Sequence, residues 1–123
     1  MRRMSPKRRK SVAAYTAWRK EFLEEVGHCE ICGALPSVIH HIARGIHREN
    51  AQYEPCAVLA LCTHCHDEEV HGQGNWPIQR QLAALACSRP MDINLAQFNT
   101  LRGRDIGAIG FLDLLPYLEM KFF

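Results

Sequence analysis

Two Cys-x-x-Cys pairs, CEIC at 29–32 and CTHC at 62–65, are separated by 29 residues. Each pair lets two thiolates converge on one ion from a tight turn. Together, Cys29, Cys32, Cys62 and Cys65 supply the tetrahedral sulfur set that Zn2+ favours in closed structural sites. A redox Cys-x-x-Cys normally works as a single pair at a helix start, and three disulfides would require an oxidising compartment, for which nothing in the sequence argues. Cys56 and Cys87 fall outside the paired geometry and read as buried apolar cysteines, although Cys56 is near enough to Cys62 to exchange with it as a ligand. A closed sulfur site leaves no position for water or substrate. Any hydrolytic chemistry therefore falls to the histidines.

All seven histidines lie within residues 28–72. His40 and His41 sit together in VIHHI, His66 directly follows the second cysteine pair, and His71 comes five positions later. If the cysteines draw residues 29–32 against 62–65, then His40, His41 and His66 share one compact unit and a second metal site is expected. Adjacent residues of a strand face opposite ways, so His40 and His41 need a bend or bulge if both are to point into one site. On a regular helix a step of five turns about 500° and lands some 140° off the starting face. His66 and His71 can then share an ion only through a bulge or an early helix end. Glu69, three positions on, is the easier helical partner and a competitor to His71. Asp67 and Glu68 read as a solvated helix start favoured by the dipole. His28 and His64 flank the zinc without binding it, and His47 reads as a surface residue.

The surrounding elements must position these groups. SVAAYTAWRKEFLEEVG has Tyr15, Trp18, Phe22 and Val26 on one helical face, with Ser11 to cap and Gly27 to terminate. SVIHHI and AVLALC suit short strands. Pro77 opens a helix carrying Ile78, Leu82 and Leu85, ended by SRP. Leu95, Phe98 and Leu101 predict another helix stopped by Gly103, and FLDLLPYLEMKFF a last one that must start or kink near Pro116. The length of 123 residues fits one domain. We divide it into a basic arm, 1–10, and a single domain, 11–123, with its core at 28–72 and a helical packing part at 77–123.

Residues 28–72 resemble the HNH endonucleases, particularly the small phage and prophage type with a cysteine-stapled core. The residues that carry the resemblance are CEIC, the HHI of 40–42, and LCTHCH of 61–66 with His71 behind it. It implies a small α+β fold: a ββα-metal (His-Me finger) core stapled by a four-cysteine zinc site, flanked by an N-terminal helix and C-terminal helices. It also implies one catalytic divalent ion (Mg2+, Mn2+, Ni2+ or Zn2+) held by His40, His66 and either His71 or Glu69, with His41 as general base. The activity implied is hydrolysis of DNA phosphodiester bonds by a one-metal mechanism, in a phage or prophage setting where packaging proteins could choose the cutting site. Two departures stand out. The asparagine that usually braces the motif is replaced at the matching position by Ala57, with Asn50 as a weak substitute, and the last two histidines have four residues between them where the pattern has three. Arg44, just after the HHI with Ala43 between, is a candidate to neutralise the scissile phosphate, and Arg48 to contact backbone. Either can equally be a solvated loop residue.

The charge distribution bears on partners. The net charge is +2, but Arg2, Arg3, Lys7, Arg8, Arg9 and Lys10 crowd the arm and leave nine basic against thirteen acidic residues elsewhere. A basic arm on a mildly acidic body suits docking on DNA phosphates, or serves as a solubilising tail. No run approaches the roughly 18 apolar residues of a membrane span and no apolar signal core is present, which predicts an intracellular, cytoplasmic protein. The rival reading is a non-catalytic zinc-stapled module for DNA binding or assembly, and a lesser one is a ribonuclease on the same scaffold. The three clustered imidazoles separate the enzyme from the binding module.

Overall fold

The computed structural model describes residues 6–43, 51–102 and 107–119, with side chains from residue 12 onward. Helix α1 (Pro6–Val26) comes first. It begins inside the basic arm rather than at Ser11, with Pro6 at the first helical position, where a missing N–H costs nothing. The predicted arm–domain boundary therefore falls within a helix. Gly27 ends α1 as expected: its φ is 76°, and its N–H donates to the Leu23 carbonyl at 2.9 Å. Phe22 is buried from the expected apolar face, and Trp18 stacks on it.

Two strands, β1 (Val38–His41) and β2 (Val58–Leu61), form an antiparallel pair with His40 opposite Leu59 and His41 opposite Val58. A short 3-10 turn, Pro55–Ala57, leads into β2. Strand alternation divides the core. Ile39, Val58 and Ala60 face α1 with Phe22, whereas Leu59 and Leu61 face the larger core built with Ile42, Val70 and the C-terminal helices. Three helices follow, α2 (Ile78–Ser88), α3 (Leu95–Arg102) and α4 (Phe111–Leu118). Leu82 and Leu85 of α2, Phe98 of α3 and Leu114 of α4 are all buried in that larger core. Gly103 lies outside the described residues. α4 runs through Pro116 from a start at Gly110, whose N–H donates to the Asp113 carboxylate at 2.8 Å. The whole is a small α+β protein. Among the described residues no helix is long and apolar enough to cross a membrane.

The outer edge of β2 is closed by side chains instead of a third strand. Glu30, between the cysteines of the first pair, is fully buried. Its N–H donates to the Ala60 carbonyl at 2.9 Å, and its carboxylate accepts from the Ala60 N–H at 2.7 Å. Arg89, just past α2, donates from Nε to Glu30 at 2.5 Å and from Nη2 to the Val58 carbonyl at 2.6 Å and Glu30 at 3.2 Å. Its Nη1 donates to the Pro55 carbonyl and to Asp92, each at 3.0 Å. All five guanidinium N–H groups thus have acceptors, and Ser88 also donates to Glu30. This network ties the first cysteine turn, β2 and α2 together, and the Ile42 N–H donates to the Ala57 carbonyl at 2.9 Å. Asn50, the weak substitute, lies outside the described residues. Arg89→Ala would strand a buried carboxylate and is expected to cost about 3–5 kcal/mol, read as a lower urea midpoint. Arg89→Lys is not expected to restore it, because an ammonium cannot reproduce the fork.

Candidate metal centres

The first centre is the cysteine set. Cys29, Cys32, Cys62 and Cys65 offer sulfurs that all lie within 4.8 Å of one another. The Cys32 and Cys62 Sγ atoms are 3.6 Å apart. Two sulfurs each about 2.3 Å from a tetrahedral zinc stand about 3.8 Å apart, so the spacing fits that ion. The first turn is closed by the Gly33 N–H donating to the Cys29 carbonyl at 2.9 Å, and Gly33 has φ 83°, a conformation open to glycine. In the second turn the Cys65 N–H points at the Cys62 Sγ, 3.5 Å away. Cys29 and Cys65 are buried, whereas Cys32 is exposed. Burial raises the Cys65 thiol well above its ordinary range, reinforced by the sulfurs of Cys32 and Cys62; Cys32, though its side chain reaches the surface, is raised by partial desolvation and by the Cys62 sulfur. For Cys29, burial pulls upward but the backbone amides of Cys32, Cys62 and Ile31 outweigh it and leave the thiol lowered. Four sulfurs at this spacing suit a structural metal site, where a cation would stabilise the thiolates. Cys56 is not in the set; it lies buried in the core, and burial raises its thiol. Cys87 is exposed. His28, whose Nδ1 donates to the Val26 carbonyl at 2.9 Å, and His64, beside Glu68, are also outside the set.

The second centre is formed by His40, His66 and His71, whose ligand nitrogens also lie within 4.8 Å of one another. Their ring centroids are separated by 5.5 Å (40–66), 4.9 Å (40–71) and 4.6 Å (66–71). The spacing problem at His66 and His71 is solved by backbone. Residues Cys65–Val70 form a π-helical turn, closed by the His71 N–H donating to the His66 carbonyl at 3.2 Å. Hydrogen bonds to the fifth residue back bring positions five apart onto one face, as bonds to the fourth do in an α-helix. Glu69 is not in the group; it lines a surface cavity with Asp67, Glu68, Gly72, Gln73 and Gly74.

The chain then folds back over the π-turn at very close range. The Gly74 N–H donates to the Glu68 carbonyl at 3.1 Å, and the Trp76 N–H to the Val70 carbonyl at 3.1 Å. A Cβ at Gly74 would stand 2.1 Å from the Glu69 carbonyl oxygen, and one at Gly72 would stand 2.7 Å from that of Asp67. Glycine is required here by contact. Gly74→Ala is expected to force the turn open, at about 1–3 kcal/mol by denaturant melting, and to weaken uptake of Co2+ by the histidines.

His66 and His40 each have a ring nitrogen engaged. His66 Nδ1 is 2.9 Å from the Asp67 carboxylate, which leaves Nε2 for an ion, and His40 Nε2 is 2.6 Å from the Gln81 amide oxygen. Such outer partners fix ring orientation at metal sites. Sequence reasoning assigned Asp67 only a solvated role and missed Gln81. The signal for Gln81 was a polar residue between Ile78 and Leu82 of an apolar helix face. His40 is buried and His71 exposed, so the cluster opens to solvent on one side. Three imidazoles with an open side differ in this from the four-sulfur set, which can enclose an ion completely.

His41 is not part of that cluster. β1 keeps regular pairing through His41, with no bulge, so the two histidines face opposite ways. His41 lies on the α1 side, its Nε2 3.4 Å from the Tyr15 hydroxyl and its ring 5.9 Å from the tyrosine ring. Arg44, His47 and Arg48 lie outside the described residues. Comparison with protein-family models, curated proteins and solved structures returned no match.

Proposed function

We propose that the protein is a metal-dependent DNA endonuclease of HNH type, in which β1, β2 and the π-turn serve as a ββα-metal core and the cysteine set as its zinc staple. The observation that carries this reading is the convergence of His40, His66 and His71 on one solvent-open point beside a closed sulfur site. A binding module needs the staple but not the open imidazole set.

The donor set is three imidazoles, which suits Zn2+, Ni2+ or Co2+ better than the oxygen-seeking Mg2+. A divalent ion held there supplies charge neutralisation at the phosphate and at the leaving 3′ oxygen. His40, His66 and His71 would hold it. His41 takes the proton from the attacking water. In-line displacement places the incoming and leaving oxygens on opposite sides of phosphorus. His40 and His41 are successive, oppositely directed residues at the end of β1, which would set the ion and the base on two sides of a phosphate bound at that strand end. Arg44, three positions beyond His41, is the proposed partner of the phosphate charge, and the product would carry a 5′-phosphate.

The test is conversion of supercoiled plasmid to open circles with Mg2+, Mn2+, Ni2+, Co2+ or Zn2+ added in turn, alongside a single-stranded RNA. Ion-dependent nicking of DNA supports the proposal. No cutting with any ion would leave the zinc-stapled binding module as the better reading, and cutting of RNA alone the ribonuclease.

A further inference from the structure

Gln81 is fully buried in the core-facing stripe of α2, where an apolar side chain would pack at lower cost. Both ends of its amide are engaged. Its Nε2 donates to the Trp76 carbonyl at 3.0 Å. A carbonyl only accepts, so this bond fixes which end of the amide is which. The oxygen is then the atom 2.6 Å from His40 Nε2. An amide oxygen also only accepts, so Nε2 of His40 must carry the hydrogen. A neutral imidazole protonated at Nε2 keeps its lone pair on Nδ1.

We infer that Gln81 is a positioning residue for the histidine metal site: it holds His40 in the Nε2–H tautomer, locks the ring, and so assigns Nδ1 as the ligand nitrogen. The inference rests on reading His40, His66 and His71 as a divalent-ion site, though not on what that site does to DNA. The amide orients the ring as an acceptor for the Nε2 hydrogen, the role that outer partners play at metal-binding histidines. The chain Trp76 carbonyl, Gln81 amide, His40 ring also couples the segment that folds back over the π-turn to the one ligand contributed by the sheet.

The test uses the full chain with its cysteine set loaded with Zn2+. Long-range proton–nitrogen correlation spectra of the ion-free histidine site are expected to show His40 of the wild type protonated at Nε2. In Gln81→Met the two tautomers are expected to mix. Titration with Co2+, followed by visible absorption, is expected to show roughly 10–100-fold weaker binding by that variant, with the zinc site retained. A purely structural role for Gln81 would lower stability and leave the wild-type tautomer unbiased. Three results each overturn the inference: His40 of the wild type protonated at Nδ1, Co2+ binding by Gln81→Met at wild-type strength, or no uptake of Co2+ by the wild-type histidines. If Gln81→Met does not fold, the wild-type tautomer decides alone. Co2+ binding as expected together with no DNA cleavage by any ion removes the endonuclease proposal and leaves the positioning role standing.

Discussion

His41→Ala is expected to slow DNA cleavage by about two to four orders of magnitude, the usual contribution of a positioned general base, while leaving Co2+ binding by the other histidines unchanged. The expectation follows from the division of β1 by strand alternation. His40 faces the cluster and the core around Leu59, whereas His41 faces α1. A residue on the far side of the strand contributes no ligand, so removing it should leave ion affinity intact. His40→Ala should behave oppositely, losing ion affinity and activity together. The readouts are single-turnover cleavage at saturating ion and a parallel Co2+ titration. If His41→Ala cleaved as fast as wild type, the base would have to lie elsewhere, and the in-line geometry proposed for the strand end would fail.

Removing the zinc staple is expected to have the largest effect on stability. Structural zinc binding is worth about 10–16 kcal/mol in apparent terms near neutral pH, comparable to or above the entire stability of a small domain. Cys65→Ser, or treatment with a strong chelator, should therefore unfold the core, seen as loss of cooperative melting. The direction of the pH dependence follows from the thiols. Cys32 and Cys65 are raised above the ordinary thiol value, so in the metal-free state both hold their protons through neutral pH, and the metal must displace them. Affinity then weakens as pH falls and strengthens as pH rises toward those raised values. With at least these two protons released per ion, each unit of acidification should weaken binding by about 100-fold. A zinc affinity that stayed flat between neutral and mildly acidic pH would show that the thiols are already ionised without metal.

Much of this arrangement is legible in the sequence, for identifiable reasons. Cysteine spacing reports directly on a sulfur site because two-residue gaps constrain the turn geometry. The apolar runs around Ile39 and Leu59 are too short for helices and flanked by polar or turn residues, and both become strands. The stripes in α2 and α3 follow the helical period. What escapes is set by tertiary contact. Arg89 lies in a stretch that reads only as a helix stop, yet its guanidinium closes the edge of β2. Nothing local to it announces Glu30, 59 positions earlier. The start of α1 at Pro6 rather than Ser11 shows a helix continuing into charged sequence that no apolar pattern marks.

The π-turn is an intermediate case. Five-residue spacing between His66 and His71 is incompatible with a shared ion on a regular helix, which flags the irregularity without giving its form. The form depends on Gly72 and Gly74, whose missing side chains let the following backbone lie across the turn. The approach of His71 to His66 thus goes with two glycines that carry no chemistry of their own.

Under the proposed function, this turn makes His71, and not Glu69, the third ligand of a hydrolytic ion. The most direct test compares Ni2+-dependent plasmid nicking by His71→Ala and Glu69→Gln, both with the zinc staple intact. His71→Ala is expected to lose about 100-fold or more in rate at limiting ion, and Glu69→Gln to stay within a few-fold of wild type. The reverse order, or nicking by His71→Ala at the wild-type rate, would contradict the account.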